Sequence, residues 1–280
     1  MRSPSDPPDI EHFRVDGQAP ILLLCDHAGK RVPERLHGLG IGEEMLGRHI
    51  GWDIGAADMT RRLATLLDAP AILCHVSRLV IDPNRRPKTP SSIPDISDGC
   101  VIPTNELLSP EEADRRIREH FLPYHHAVAR RIGAFRRAGI VPVVIAMHSF
   151  TPHMSGEDRP WQIGVLWRGD TRLSAPALEG LRARGDLVVG DNQPYSGIAD
   201  FGFTVTFHAQ RPRLPHVMLE VRQDEIDTLE RAEAYAGLIH AVLRPALDDP
   251  ALYRLHDGHN LAGTGRPLAW RLASIIPPRP

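Results

Sequence analysis

The chain has 280 residues, 42% of them hydrophobic and 24% charged, with a formal net charge of −2. That balance fits a soluble globular protein with enough chain for a sizeable core, and it exerts no overall pull towards nucleic acid or an anionic membrane. Three cysteines make no disulfide framework, the start "MRSPSDPPDIEHF" lacks an apolar signal segment, and no apolar run approaches the roughly 20 residues of a membrane span, so a cytoplasmic setting is expected.

After a polar N-terminal extension of about residues 1–18, "ILLLC" at 21–25 reads as a buried strand that runs straight into Asp26 and His27. A helix is predicted over 53–67, where Ile54, Met59, Leu63, Leu66 and Leu67 keep helical spacing. A strand over 71–76 precedes Ser77, Arg78, Asp82, Asn84, Arg85 and Arg86, and a proline-rich loop follows over 83–103. Ser109, Pro110 and Glu112 form a good helix start, which predicts a helix over 110–138. The strand at 141–147 ends at His148 and Ser149 and leads into a second long loop, 149–160. Strands at 162–167, 203–207 and 216–221 and helices at 172–185 and 224–247 complete the pattern, before a weakly patterned tail at about 256–280.

Strands alternating with helices, several of the strands being continuous apolar runs, predict a single α/β domain. Its expected form is three α/β/α layers around a mostly parallel sheet. Loops as long as these two are usually functional. In such sheets ligands bind beyond the carboxyl ends of the strands. His27, His148, Glu220 and the Arg78–Arg86 group all fall at predicted strand ends. Two histidines and a carboxylate, with a position left for water, suit a catalytic zinc, and a glutamate nearby can move the water's proton. An arginine with an asparagine matches the planar fork of a carboxylate. No HExxH, GxSxG, GxxxxGK[ST] or GxGxxG is present, which excludes a thermolysin-like helix site and weakens serine-hydrolase, P-loop and dinucleotide readings. Asp53, opening a helix in "GWDIGA", can supply the third ligand or simply cap that helix. Asp26 competes with it, as ligand or as the partner that orients a ligating histidine.

Together "CDHAGKRVP", "GWDIGA", "SRLVIDPNRRP", "AMHSF", "NQPYSG" and "VMLEVRQD", six motifs in order from about Pro20 to the helix after Asp224, resemble the N-formylglutamate amidohydrolase family. The resemblance implies a fold similar to the zinc carboxypeptidase and aspartoacylase group, a phosphorylase/hydrolase-like α/β/α arrangement. It also implies zinc-assisted hydrolysis of an N-acyl amino acid, N-formylglutamate giving formate and glutamate, in amino-acid catabolism. On that basis one zinc ion is held by His27, Asp53 and His148, Glu220 is the general base and acid, and Asn84 and Arg85 grip a substrate carboxylate. The carboxypeptidase group takes its second ligand three residues after the first histidine. That position here is Lys30, so Asp53 replaces it, ahead of Asp26 and Glu34. "DHAG" also differs from the "PHSG" form of the better-known formylglutamate enzymes. The expected partner is a small N-acyl amino acid, with no nucleic acid or membrane.

Arg78 and Arg222 are candidates either for binding an anionic substrate or for pairing with Asp82 and Asp224. His208 reads as structural ahead of substrate-binding, His153 as loop, and His125 and His126 as helix packing or surface. Tyr195 is placed over the pocket, with turn chemistry at Pro194 and Gly197. Cys25 points into the core and is no nucleophile.

Overall fold

Every residue of Ile21–Cys25 is buried, and its side chains alternate between two hydrophobic clusters. Ile21, Leu23 and Cys25 belong to one, Leu22 and Leu24 to the other. A strand packed on both faces is what a continuous apolar run requires. The computed structural model describes residues 8–196 and 202–258. Residues 1–7 of the predicted extension, Gly197 of the predicted turn and residues 259–280 of the tail lie outside them.

The main sheet is mixed and seven-stranded. Its strands are β1 (Ile10–Phe13), β2 (Ile21–Cys25), β3 (Ala71–Cys74), β4 (Val143–Phe150), β5 (Ile163–Leu166), β6 (Val189–Asp191) and β7 (His216–Arg222). In space they run β1-β3-β2-β4-β7-β5-β6. The central four, β3, β2, β4 and β7, are parallel, while β1 pairs antiparallel with β3 and β5 antiparallel with β7. Helices α1 (Ala56–Leu67), α3 (Ser174–Ala183) and α4 (Leu229–Leu247) cover one face, with α1 packed on α4. Helix α2 (Leu122–Arg137) and the 34–46 segment cover the other, which completes the three layers expected.

The long helix begins as predicted, with the Glu112 N–H donating to Ser109 Oγ at 3.2 Å. It then passes through a π turn, Ile117–Phe121, between Pro110–Arg116 and α2. Pro123 has no N–H for the carbonyl four residues back, and the wider turn accommodates it. The predicted strand at 203–207 is instead helical, Phe203–Val205, continuing into a π turn, Thr206–Gln210. "FTVTF" alternates like a strand, but Val205 and Ala209, four residues apart, both face the core, and the longer-range spacing decides. Strands β1 and β6 were not expected: they are short, partly exposed sheet edges reading "IEHF" and "VGD". Both long loops contain two-residue ribbons, Ile96–Ser97 with Cys100–Val101 and His153–Met154 with Glu157–Asp158. Among the described residues no helix is long and apolar enough to cross a membrane.

Candidate metal centre and active site

Parallel packing of β2, β4 and β7 brings distant residues to one rim of the sheet. His27 follows the end of β2. His148 lies inside β4, which runs three residues beyond its predicted end, and it sits directly beside Glu220 of β7 in the strand register. Both belong to the face packed by α2, since their strand neighbours Ala146 and Met218 are in that cluster. Asp53 comes from the loop before α1. Its N–H donates to the His27 carbonyl (3.0 Å), and Ser149 Oγ donates to the Ile54 carbonyl (2.8 Å). Gly55, at φ 77°, lets this loop close against β7's exit, because a Cβ there would sit 2.1 Å from the Ile226 carbonyl oxygen.

One donor atom each from His27, Asp53 and His148 lies within 4.8 Å of the others, and all three residues are buried. Asp53 Oδ2 is 3.3 Å from His27 Nδ1 and 2.9 Å from His148 Nδ1. The far side of each imidazole faces another carboxylate. His27 Nε2 is 2.8 Å from Asp82 Oδ1, and His148 Nε2 is 3.1 Å from Asp26 Oδ2, whose Oδ1 accepts from the Tyr124 hydroxyl at 2.7 Å. Carboxylates there favour the Nε2–H tautomer and leave the Nδ1 lone pairs turned on Asp53. Three acceptors converging on one point need a cation between them, either protons on the two Nδ1 atoms or one metal ion. The donor set therefore fits a zinc ion.

The charges agree. Asp26, Asp53 and Asp82 surround two guanidinium groups, Arg78 and Arg85, an excess of one negative charge when the imidazoles and Glu220 are neutral. Burial and Arg78 disfavour the His27 imidazolium, yet Asp82 and Asp53 outweigh them and raise its pKa above the usual histidine value. Burial likewise opposes charge on His148, but its contacts with Asp26 and Asp53 carry it well above that value. Burial alone would raise Asp53 and Asp82; the histidines, and Arg78 at Asp82, hold both well below the carboxylate range. Glu220 goes the other way. Burial, reinforced by Asp53 and only partly offset by His148 and Arg78, pushes it up to about 7. Its Oε2 is buried with no hydrogen-bond partner among the described residues.

These groups open on a pocket of about 420 Å³ that Asn84, Arg85, Tyr195 and Met218 also line. Asn84 is braced by the 203–204 backbone: its Oδ1 accepts from the Thr204 N–H (3.1 Å) and its carbonyl from the Phe203 N–H (3.0 Å). Arg78 lines the pocket too, but its guanidinium is held by Asp53 (3.2 Å) and Asp82 (3.0 Å). Arg222 does not line this pocket: it pairs with Asp224 (2.7 Å) and Glu225 (3.1 Å). Gly164 of β5 lets the chain pass close to Glu220, since a Cβ there would meet the Gln193 carbonyl oxygen at 1.9 Å and Glu220 Cβ at 3.6 Å.

Of the other residues weighed in the sequence, Glu34 and Lys30 are exposed and outside the donor cluster. His125 is fully buried between His208 (2.9 Å) and the Pro83 carbonyl (3.0 Å), just behind Asn84, and burial brings it down to about 4. His153 is exposed on its ribbon beside Asp158. Tyr195 lies under the Arg159 guanidinium, 4.9 Å from the ring centre. Cys25 is buried in the core. Sequence reasoning missed Tyr124 entirely and placed Asp82 in the strand-end group and as an arginine partner, but not behind the His27 ring. Tyr124 lies 98 positions from Asp26, and no local spacing could join them.

A crystal structure of a gene product from Agrobacterium tumefaciens is similar to this chain at 33% identity, with a TM-score of 0.82, covering 85% of this chain and 94% of that one. The crystal structure of N-formylglutamate amidohydrolase from Ralstonia eutropha JMP134 shares the fold at 19% identity, with a TM-score of 0.62, covering 85% and 97%. No curated protein matches. Residues 19–226 match the family model for N-formylglutamate amidohydrolase, which takes in all the pocket groups described above, and the chain belongs to that family.

Proposed function

We propose that this protein is a zinc-dependent amidohydrolase that cleaves an N-acyl amino acid, with N-formylglutamate, yielding formate and glutamate, as its substrate. The observation that carries the reading is the buried convergence of His27, Asp53 and His148 beside Glu220, whose Oε2 has no hydrogen-bond partner among the described residues. Zinc, when bound by those three residues, supplies a Lewis acid that polarises an amide carbonyl and lowers the pKa of water to about 7. Glu220 takes the proton of the attacking water and delivers it to the departing amine nitrogen, a task open to a buried carboxyl whose Oε2 has no hydrogen-bond partner among the described residues. Arg85 and Asn84 hold a carboxylate of the amino acid. Asp82 and Asp26 keep the two imidazoles turned with Nδ1 towards Asp53. Arg78 steadies Asp53 and Asp82 and adds positive charge to the pocket wall, while Arg222 braces the exit of β7. Unpaired, buried Cys25 and Cys74 support a reducing, cytoplasmic setting.

The test is metal analysis together with hydrolysis of N-formyl-L-glutamate. Near-stoichiometric zinc is expected, lost in His27→Ala and retained in Glu220→Gln. A protein that takes up no divalent metal, or cleaves N-formyl-L-glutamate equally well without it, refutes the reading.

A further inference from the structure

We infer that His125 and His208 are positioning residues for the substrate-carboxylate subsite, holding the Pro83–Asn84 peptide so that Asn84 presents its amide to a carboxylate. This rests on the amidohydrolase reading above, in which Asn84 and Arg85 grip the amino acid.

His125, on α2, and His208, in the Thr206–Gln210 π turn, are both buried. Aromatic rings enclose them. Phe121 and Phe203 stand 4.2 and 5.1 Å from His125 between ring centres, and Phe207 stands 5.0 Å from His208. In such a cage an imidazole is tolerated only when its polar atoms are hydrogen-bonded. The bonds here lead to one place. The Pro83 carbonyl, 3.0 Å from His125 Nε2, can only accept, so the His125 proton lies on Nε2. His125 Nδ1 is then a lone pair, and it accepts from the His208 Nε2–H at 2.9 Å. Burial lowers the pKa of both rings, His125 to about 4, so each carries one proton at neutral pH. The chain therefore runs in one direction, from His208 through His125 to Pro83.

That carbonyl belongs to the peptide of Asn84. On the other side of the same peptide the Asn84 N–H donates to Asp82 Oδ1 (2.8 Å), the oxygen that also faces His27 Nε2. Because a peptide is planar, fixing its C=O and its N–H fixes the direction in which Asn84 leaves it. Thr204 completes the mount: its hydroxyl donates to the Pro83 carbonyl at 3.4 Å and its N–H to Asn84 Oδ1 at 3.1 Å. With Oδ1 turned on Thr204, the NH₂ is the end of the Asn84 side chain that can donate to a carboxylate.

The test measures kcat/KM for N-formyl-L-glutamate and for its diamide, in which both carboxylates are amidated, on the zinc-loaded full chain. His125→Phe keeps the ring packing and removes both hydrogen bonds. We expect it to reduce the preference for the diacid about tenfold, mostly through KM. His125→Gln, whose amide nitrogen can reach Pro83, should recover most of that preference. His208→Leu acts on Pro83 only through His125 and should shift the preference the same way by less. An equal loss with both substrates, or no rescue by glutamine, makes the pair a packing element and overturns the inference. One measurement on the wild type needs no variant to fold: nitrogen-15 shifts should show both imidazoles neutral with the proton on Nε2. A proton on His125 Nδ1 overturns the inference as well. Wild-type hydrolysis of the diacid alongside any of these failures leaves the amidohydrolase reading standing. Hydrolysis of neither substrate overturns both.

Discussion

Asp26→Asn isolates the support behind the candidate metal centre. Asp26 is fully buried and faces two donors, the Tyr124 hydroxyl at 2.7 Å and His148 Nε2 at 3.1 Å. Asparagine keeps the shape but offers one oxygen and one NH₂, so one of the two donors must face another donor. An unsatisfied buried group of this kind costs about 1–3 kcal/mol in the metal-free protein. With His148 as a metal ligand, as proposed, the lost charge should weaken it, since changes at such orienting partners lower metal affinity about 10–100-fold. At a free zinc concentration of about 1,000 Kd for the wild type, binding stabilises the native state by about 4.1 kcal/mol. A variant with tenfold weaker affinity gains about 2.7 kcal/mol at the same zinc concentration, and one with 100-fold weaker affinity about 1.4. The assay is a pair of urea titrations, with zinc and with chelator, alongside competition with a chromophoric zinc chelator. Zinc affinity within twofold of wild type, with an unchanged zinc-dependent gain in stability, would refute the assignment of Asp26 as the partner that orients His148.

Glu220→Gln should lower kcat by about 10²–10⁴ while zinc stays bound, measured by turnover and metal content; loss of the metal would move Glu220 into the ligand set. Gly164→Ala forces a Cβ into the Gln193 carbonyl, and a cost of about 1–3 kcal/mol from overpacking should register as a lower Tm together with reduced turnover, because the strain lies beside Glu220. Burial raises the Glu11 carboxyl, but Arg61 and His75 more than offset it and bring it down to about 2. A depressed carboxyl stabilises the fold above its unfolded pKa and loses that contribution as pH falls through the folded one. The wild type should therefore exceed Glu11→Gln by about 1 kcal/mol in urea titrations at pH 7, with the gap closing as pH falls from about 4.5 towards 2; a constant gap would assign the effect to packing.

How far the molecule could be read in advance follows from the range of the interactions. Ile21–Cys25 was found with its correct bounds because five apolar residues buried on both faces leave a local signal. "FTVTF" misled because its alternation is local, whereas the burial of Val205 and Ala209 depends on α2 and the sheet. His27, His148 and Glu220 were legible as polar residues at the ends of apolar strands. The carboxylates were harder to sort. Asp26, Asp53 and Asp82 each adjoin an apolar run, and only the folded distances separate the one between the two Nδ1 atoms from the two behind the rings. Arg222 shows the opposite limit: its neighbours Asp224 and Glu225, two and three residues on, already accounted for it.

The place of β7 between β4 and β5 has a consequence for synthesis on the ribosome. The strand that carries Glu220 is the last of the seven to be made, yet it fills the middle of the sheet. A nascent chain that has emerged only to β6 already holds His27, Asp53 and His148 but exposes two raw strand edges where β7 will enter. Such edges invite pairing with other chains. Truncation before His216 should thus yield a species that hydrolyses nothing and aggregates, and the insertion of one late strand both closes the sheet and brings Glu220 beside His148.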